Sequence, residues 1–458
     1  MKPALHRTLT TVEYFTFGFG TMVGVGWLVI MDDWLGRGGP GGAALGFLIG
    51  GVLLLPIAAT YGRLVRDIPD AGAEIAYTDG VFPRFLSFAT GWTMVLAYAI
   101  VCPWEAVAIG NLLARIVPSL NTMELYALAG HPIYLPRVLA GLVLTALIGA
   151  INYRGIRLSG VFQDVTTFGL LVIFAVFVTL GFVKGDAANL TPAFARPGGV
   201  GAVVSTLLVL QIVPYFMTGF ESVAKGSEEA KTGFDPRDFG RAMRAAVLAG
   251  LIFYVLIVVV VSYVYPWRDV VAGQVGTETA FERAFGSRRI AQFILLGAFL
   301  SLFKVYNGNF VAATRLLFAI GRRGLVHQSL GGVHPRFGTP AGAILLLAAI
   351  TAVASLLGDA VLVPISEVGS MAVGVGWCSA CVAFLLRGRR ASRETALATL
   401  GAIVGAAIVV MKAVPLVPGS FTWVEWTAFA GWCALGLGFW LGGGRQSAHS
   451  SQHSVVDS

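Results

Sequence analysis

The residues of this sequence that could do chemistry are ionizable side chains inside long apolar segments. They are Glu105, Asp164, Glu221, Lys304 and Glu367. A charge near the centre of a bilayer costs about 2.5 to 3.5 kcal/mol on insertion scales, so each residue needs a partner or a function. Carboxylates and amines in such a setting bind and release protons or pair with each other. The expected chemistry is therefore the movement of protons or small ions.

Several of these carboxylates have more than one interpretation. Glu221 lies in the stretch VPYFMTGFES. Beside an interruption in a helix it could carry a proton, or it could cap the half-helix that follows, where exposed amides favour negative charge. Glu105 follows Pro103 and Trp104 and could belong to a wall or polar network, or simply pack. Glu367 could reach water.

The sequence predicts no metal site, cofactor or catalytic residue. Cys378 and Cys381 have CxxC spacing, but they lie in an apolar segment with no histidine or second cysteine pair nearby. The six histidines fall in loops or tails, which excludes a proton relay made of histidines. There is neither a nucleophile and base pair in a plausible site nor a nucleotide-binding loop, so we do not expect an enzyme.

The elements that hold the ionizable residues are membrane-spanning helices. The chain is 56% hydrophobic and 12% charged, with a mean hydropathy of +0.79, whereas soluble domains are roughly 25% charged. A span needs about 20 apolar residues. The twelve predicted spans are 14–34, 40–62, 85–115, 136–153, 158–183, 201–224, 242–265, 290–313, 340–358, 362–386, 396–414 and 422–442.

Lysine and arginine predict the orientation of these spans, because cytoplasmic loops carry an excess of them. With the N-terminus inside, 21 of the 32 fall on the cytoplasmic side and 10 on the opposite side, and Lys304 lies within a span. We therefore predict a multi-pass protein of the inner or plasma membrane with both termini cytoplasmic. The net charge of +8 follows mainly from this topology, so nucleic acid is not an expected partner.

Two of the predicted spans contain helix-breaking residues at corresponding positions. The stretch GFGTMVGVGW, residues 18–27, has four glycines, and residues 213–222 include Pro214 and Gly219. Each glycine costs a helix roughly 1 kcal/mol relative to alanine. If the first ten spans form two inverted sets of five, these are the first helices of the two halves. Many secondary transporters bind substrate at such broken helices.

Unwound backbone in a bilayer must line a polar cavity, because each unsatisfied amide or carbonyl costs several kcal/mol. Amides at the N-terminus of one half-helix attract a carboxylate, and carbonyls at the C-terminus of another attract an ammonium or cation. The pair suits a zwitterionic ligand. The alternative for the first helix is close packing, since Gly20 and Gly24 also form a GxxxG pattern.

Three motifs resemble the amino acid-polyamine-organocation superfamily of transporters. They are GTMVGVGWLV in the first span, TGFESVAKGSEEAK in the sixth and NGNFVAATRLLFAIGRRGLV in the eighth. The resemblance implies an all-α leucine-transporter-like fold of twelve helices, with five plus five inverted repeats, helices 1 and 6 unwound, and alternating access. The implied organisation is a cytoplasmic N-terminus 1–13, repeats 14–183 and 201–386, helices 11 and 12 at 396–442, and a disordered cytoplasmic tail 445–458.

The resemblance also implies which residues bind substrate. Backbone at Val23, Gly24, Val25 and Gly26 would hold the carboxylate of an amino acid. The amine would lie near the carbonyls of the second break, beside aromatic side chains. The residues concerned there are Trp104, Tyr215, Phe216, Thr218 and Gly219. Many relatives have serine or threonine where this chain has Val25, so only backbone amides would contact the carboxylate.

Lys304 is the most informative of the buried charges. It lies one helical turn before Asn307, about where sodium-coupled relatives place a carbonyl of a sodium site shared with the first helix. An ammonium there could replace sodium. Lys304 could titrate during transport, form a fixed ion pair with Asp164 or Glu221, or reach the surface. With Asn307, these residues are the predicted coupling set.

The sequence therefore predicts a secondary transporter of amino acids or related amines, independent of sodium and coupled to protons or to exchange. The expected partners are the small-molecule substrate, protons and lipid; the sequence predicts no oligomeric state. The main alternative is a membrane receptor or sensor with the same fold that binds without transporting. A membrane enzyme or a channel is less consistent with two broken helices.

Overall fold

The protein is almost entirely helical in a computed structural model that describes residues 5, 7–128, 130–273, 275–388 and 391–456. The first half contains α1 Thr11–Met22, α2 Gly26–Val29, α3 Met31–Asp67, α4 Glu74–Thr78, α5 Arg84–Ala99, α6 Val101–Ile116, α7 Leu135–Arg154 and α8 Ile156–Lys184. A hairpin of antiparallel strands, β1 Glu124–Leu128 and β2 His131–Tyr134, joins α6 to α7 and is absent from the sequence prediction.

The second half begins with three short helices in place of one long one. Its elements are α9 Gly198–Leu210, α10 Val213–Met217, α11 Ser222–Lys225, α12 Arg237–Val264, α13 Trp267–Ala272, α14 Thr277–Phe285, α15 Arg288–Arg322, α16 Ala341–Ala354, α17 Leu362–Leu386, α18 Ser392–Ala413 and α19 Trp423–Val456. Short 3-10 helices occupy Pro118–Leu120, Ala187–Leu190, Ser227–Glu229, Gln328–Gly331 and Ser355–Val361.

Among the described residues, ten helical segments are long and apolar enough to cross a membrane. The chain is thus a multi-pass membrane protein. The predicted span 201–224 is not one of the ten, because it is divided into α9, α10 and α11. The predicted span 422–442 lies in α19, which is also not among them. That helix is described as far as Val456, so the predicted tail 445–458 begins inside it and its last two residues lie outside the described residues.

The first predicted span has different bounds from those expected. It begins at Thr11, where Thr10 and Glu13 form a capping box: each side chain accepts a hydrogen bond from the other residue's backbone N–H. The segment ends at Val29 rather than at residue 34. α3 starts at Met31 and runs through a kink at Gly39, so the predicted first and second spans have almost no loop between them.

α15 forms the centre of the fold. It packs on α1, α5, α6 and α8, and nearly all of its residues from Lys304 to Gly321 are buried. α3 lies beside α9, α12 and α18. Near one end of α15, buried Arg315 donates to Glu229 at 2.9 Å. This ion pair joins the eighth-span motif to the sixth-span motif and fixes the register between α15 and the segment after α11.

Candidate functional site

The first helix is interrupted at the glycine-rich stretch. α1 ends at Met22, Val23 has an extended backbone, and helical structure resumes at Gly26. The carbonyls around the interruption have lost their helical partners, and within a bilayer they need new ones.

Side chains of α15 and α12 supply those partners. Ser301 Oγ donates to the carbonyl oxygens of Val23 and Gly24, at 3.1 and 2.7 Å. Asn309 Nδ2 donates to Thr21 O at 3.0 Å, and the hydroxyl of Tyr254 donates to Met22 O at 3.1 Å. The carbonyls of the first break are therefore held by side chains that come from other helices.

Lys304 brings a cation to the same carbonyls. Its Nζ donates to Val23 O and, at 3.3 Å, to Gly20 O, and it lies 5.3 Å from the centre of the Phe19 ring. The side chain is fully buried, which rules out the surface-reaching alternative. In the described part of the chain it forms no ion pair with Asp164 or Glu221.

The second helix is interrupted between α10 and α11, at residues 218–221. Gly219 has φ +119°, a conformation that L side chains rarely adopt. A Cβ on Gly219 would lie 2.7 Å from Met22 N, so the two breaks touch through their backbones. The proline and glycine in the sequence thus permit both the interruption and its close contact with the first one.

Glu221 is held by donors within and beside its own break. Its carboxylate accepts from Thr218 Oγ1 at 2.7 Å, from the Gly219 N–H at 3.0 Å and from the Tyr98 hydroxyl at 2.9 Å. Three donors stabilise the charged form of a carboxylate. This geometry favours the interpretation in which Glu221 stabilises the broken segment over the one in which it carries protons.

A cavity lies between the two breaks. Its wall is formed by Thr21, Met22, Gly24, Gly26, Val101, Trp104, Glu105, Tyr215, Phe216, Thr218, Val305 and Asn309. Its volume of about 20 Å³ is enough for one water molecule. A substrate the size of an amino acid would fit only after the surrounding helices move.

Several hydrogen-bond acceptors of the residues that line this cavity have no donor in the part of the chain that the structure describes. Glu105 and Asn309 are 2% and 1% exposed, and each has one buried oxygen without a partner among the described residues. No donor reaches the carbonyls of Phe216 or Thr218 in the described hydrogen bonds. The other Glu105 oxygen faces the first break, where it would lie 3.1 Å from a Cβ added to Gly24. The cavity is thus suited to a ligand that donates hydrogen bonds.

The predicted substrate residues fall into two groups. Gly24, Gly26, Trp104, Tyr215, Phe216 and Thr218 line the cavity. Val23, Val25 and Gly219 are next to it in the two breaks, where the Val23 carbonyl accepts from Lys304.

Two predicted coupling residues lie elsewhere. Asp164 is only partly buried and accepts from Thr16 Oγ1. Asn307 is buried among Asn152, Ser159 and Gln163, where it joins α15 to α7 and α8. Glu367 does not simply reach water, since Arg37 and Lys412 both donate to it.

A buried ion pair beneath the second break was missed by sequence reasoning. Lys225 Nζ donates to Glu74 Oε1 at 2.5 Å, and both side chains are fully buried. Tyr61 donates to the same oxygen at 2.8 Å, and Lys225 lies 4.9 Å from the Tyr98 ring centre. Lys225 directly follows a predicted span and Glu74 lies in a predicted loop. A charge in either position normally reaches water, so the sequence contains no signal of their burial.

Comparison with known proteins identifies the family. The amino acid permease family matches residues 14–414. The chain is 28% identical to the methylthioribose transporter of Bacillus subtilis over 349 residues, which cover 74% of this chain and 72% of the relative. It is 24% identical to the amino-acid permease RocE of the same organism, covering 85% and 82%, and 25% identical to its serine/threonine exchanger SteT, covering 85% of each.

The matched region contains all three motifs and both breaks, which confirms the resemblance indicated by the sequence. The family consists of transporters and not of enzymes. The chain belongs to the amino acid permease family.

Proposed function

We propose that this protein is a secondary active transporter that moves amino acids or related amines by alternating access. Transport is independent of sodium and is driven by protons or by exchange. The observation that carries the proposal is the Lys304 ammonium on the Gly20 and Val23 carbonyls, beside a cavity between two interrupted helices. A fixed cation there leaves no need for a metal ion to satisfy those carbonyls.

The substrate amine binds at the acceptors of the cavity. The unpartnered oxygens of Glu105 and Asn309 and the carbonyls of Phe216 and Thr218 can each accept from an ammonium. A charged hydrogen bond contributes roughly 1.5 to 3 kcal/mol. Among similar proteins, the names of RocE and SteT designate an amino-acid permease and a serine/threonine exchanger, which supports amino acid substrates and allows an exchange mode.

The substrate carboxylate binds at the amides of residues 24–26, since the Val23 N–H already donates to Phe19 O at 3.0 Å. In this conformation a Glu105 oxygen lies against the first break beside Gly24, so the incoming carboxylate must displace it. Two negative groups at one break repel each other, and protonation of Glu105 relieves the repulsion. This displacement gives substrate binding a direct route to proton uptake, and the movement of Glu105 would also enlarge the small cavity.

The overall organisation follows the same proposal. The chain has twelve spans, two of which are not continuous helices. Ten of them form five plus five inverted repeats over 14–183 and 201–386, and the two helices of 396–442 lie outside the repeats. The breaks occupy the first helix of each repeat and touch at Gly219. The protein lies in the cell membrane with both termini in the cytoplasm, as the lysine and arginine distribution indicates.

Uptake into proteoliposomes tests the proposal. The purified protein is first screened with amino acids and amines by thermal shift, and stabilising ligands are then offered as radiolabelled substrates under imposed proton or sodium gradients. We expect uptake driven by a proton gradient or by internal substrate, unchanged when sodium is replaced by potassium. A requirement for sodium contradicts the role of Lys304. Binding without uptake or exchange would instead favour a receptor.

A further inference from the structure

A groove lined with arginine lies far from the transport site, over one end of α3. Two adjoining cavities of about 360 and about 430 Å³ share Ala59, Arg63 and Arg244. α3 packs against both α12 and α18, which form the two sides. At the floor, a Cβ on Gly62 would lie 2.7 Å from Gly240 Cα, so α3 and α12 meet without side chains between them. The walls of the groove are therefore formed by the longer side chains on either side of this glycine contact.

The groove has an excess of positive charge. Its arginines are Arg63, Arg66, Arg237, Arg241, Arg244 and Arg393. Three of them have a carboxylate partner: Arg63 with Glu394 at 2.9 Å, Arg66 with Asp67 at 3.3 Å and Arg241 with Asp238 at 2.7 Å.

Arg237, Arg244 and Arg393 have no such partner in the described ranges. They are exposed and come from two different helix starts, α12 and α18, so the fold gathers three uncompensated guanidinium groups around one space. Guanidinium groups are well matched to phosphate, which they bind through paired N–H donors.

An apolar surface continues from the arginines along both sides. On α12, Leu248 and Ile252 follow Arg244 at intervals of four residues and are 46% and 53% exposed. Residues at this spacing share a helix face. On α18, Leu400 and Ile403 are 43% and 59% exposed. Because the arginines stand at the ends of helices long enough to span a bilayer, they lie at the level of lipid headgroups.

We propose that this groove binds an anionic phospholipid. The headgroup phosphate lies between Arg237, Arg244 and Arg393, and the acyl chains lie along the exposed leucine and isoleucine side chains of α12 and α18. All three arginines fall on the side that the lysine and arginine distribution predicts to be cytoplasmic. A free phosphate ion would use the guanidinium groups but not the apolar surface, so a lipid accounts for both features.

The test is native mass spectrometry of the full chain released from nanodiscs. These contain dioleoyl phosphatidylglycerol or dioleoyl phosphatidylcholine in known ratio. The groove variant combines Arg237→Gln, Arg244→Gln and Arg393→Gln. The control combines Arg154→Gln, Arg157→Gln and Arg336→Gln, which removes the same charge from exposed positions on the same predicted side.

We expect the wild-type protein and the control to retain phosphatidylglycerol in preference to phosphatidylcholine. Each arginine near an anionic surface contributes about fivefold to binding, so the groove variant should bind about a hundredfold more weakly. Thermal unfolding in detergent checks that all three proteins are folded.

Two results would overturn the proposal. One is equal retention of phosphatidylglycerol by the groove variant and the control. The other is displacement of the lipid by millimolar glycerol phosphate or inorganic phosphate, which would identify a site for soluble anions in which the apolar surface has no part.

Discussion

The two helix breaks meet the same requirement with opposite charges. At the first break, free carbonyls are satisfied by the Lys304 ammonium and by Ser301 and Asn309, all on α15. At the second break, the Glu221 carboxylate of the break itself accepts from a backbone amide and two hydroxyl groups. The free carbonyls of the first break are thus stabilised by a cation, and the donors of the second break are stabilised by an anion.

The difference shows which break can respond to its surroundings. The polar groups of the first break depend on a helix nearly 300 residues away in sequence, so any shift of α15 changes them. The Glu221 carboxylate of the second break accepts from donors within four residues, apart from Tyr98. We therefore expect coupling to depend on the first break and local stability to depend on the second.

Lys304→Met should produce the largest effect on transport. It removes the cation, which leaves Val23 O with Ser301 as its donor and Gly20 O without one in a dry environment, where an unsatisfied group costs several kcal/mol. We expect gradient-driven uptake in proteoliposomes to fall by about 100-fold or more. The matched control is Lys412→Met, another fully buried lysine, whose partner is Glu367 instead of the break.

The control should lose stability but keep the wild-type dependence on the gradient. A Lys304→Ser variant adds a sharper measurement, since it opens the carbonyls to a metal ion. Uptake that regains activity with sodium would support replacement of sodium by the ammonium. Unchanged proton dependence in Lys304→Met would mean that the first break is not the coupling site.

Gly219→Ala should disrupt the contact between the breaks. A residue with a Cβ is destabilised by roughly 1 to 2 kcal/mol in a left-handed backbone conformation. Overpacking against Met22 N destabilises the fold by roughly a further 1 to 3 kcal/mol. We expect lower thermal stability by several degrees and uptake reduced at least about tenfold. Gly199→Ala, where an added Cβ meets nothing within 4 Å, is the control. If both variants behave alike, the breaks do not require direct contact.

How far the sequence predicts this site depends on the kind of feature. The breaks follow from glycine and proline, which act on the local backbone, and both occur at the expected stretches. Side-chain contacts between helices depend on rotation about the helix axis. Asn307 and Asn309 are two residues apart, or about 200° around α15, and only Asn309 lines the cavity. The buried Glu74 and Lys225 pair could not be predicted because helix-end charges usually face water.

Glu105→Gln should make substrate binding independent of pH while leaving the fold intact. The change removes the negative charge that repels the substrate carboxylate at the first break, as protonation of Glu105 does, and it keeps an oxygen as an acceptor in the cavity. Isothermal titration with an identified substrate measures the affinity at several pH values.

The control for Glu105 is Asp164→Asn, a partly buried carboxylate that contacts Thr16 outside the cavity. It should bind substrate as the wild type does. Equal losses of pH dependence in the two variants would show that the effect comes from overall charge rather than from the position of Glu105. Loss of pH dependence in Glu105→Gln alone would support displacement of a protonated Glu105 by the substrate carboxylate.

Glu221→Gln should have the smallest effect on transport. Whether it lowers stability or proton-driven uptake distinguishes the two roles considered for this residue. A glutamine oxygen can still accept from Tyr98, Thr218 or Gly219, so most of the local structure survives. We expect a loss of about 1 to 2 kcal/mol in stability, from weaker hydrogen bonds, with proton-driven uptake within about threefold of wild type. Proteoliposome uptake across a pH series, compared with exchange at equal pH on both sides, separates coupling from turnover. If exchange persists while the proton gradient no longer drives uptake, Glu221 carries the proton, and the division of roles between the two breaks is wrong.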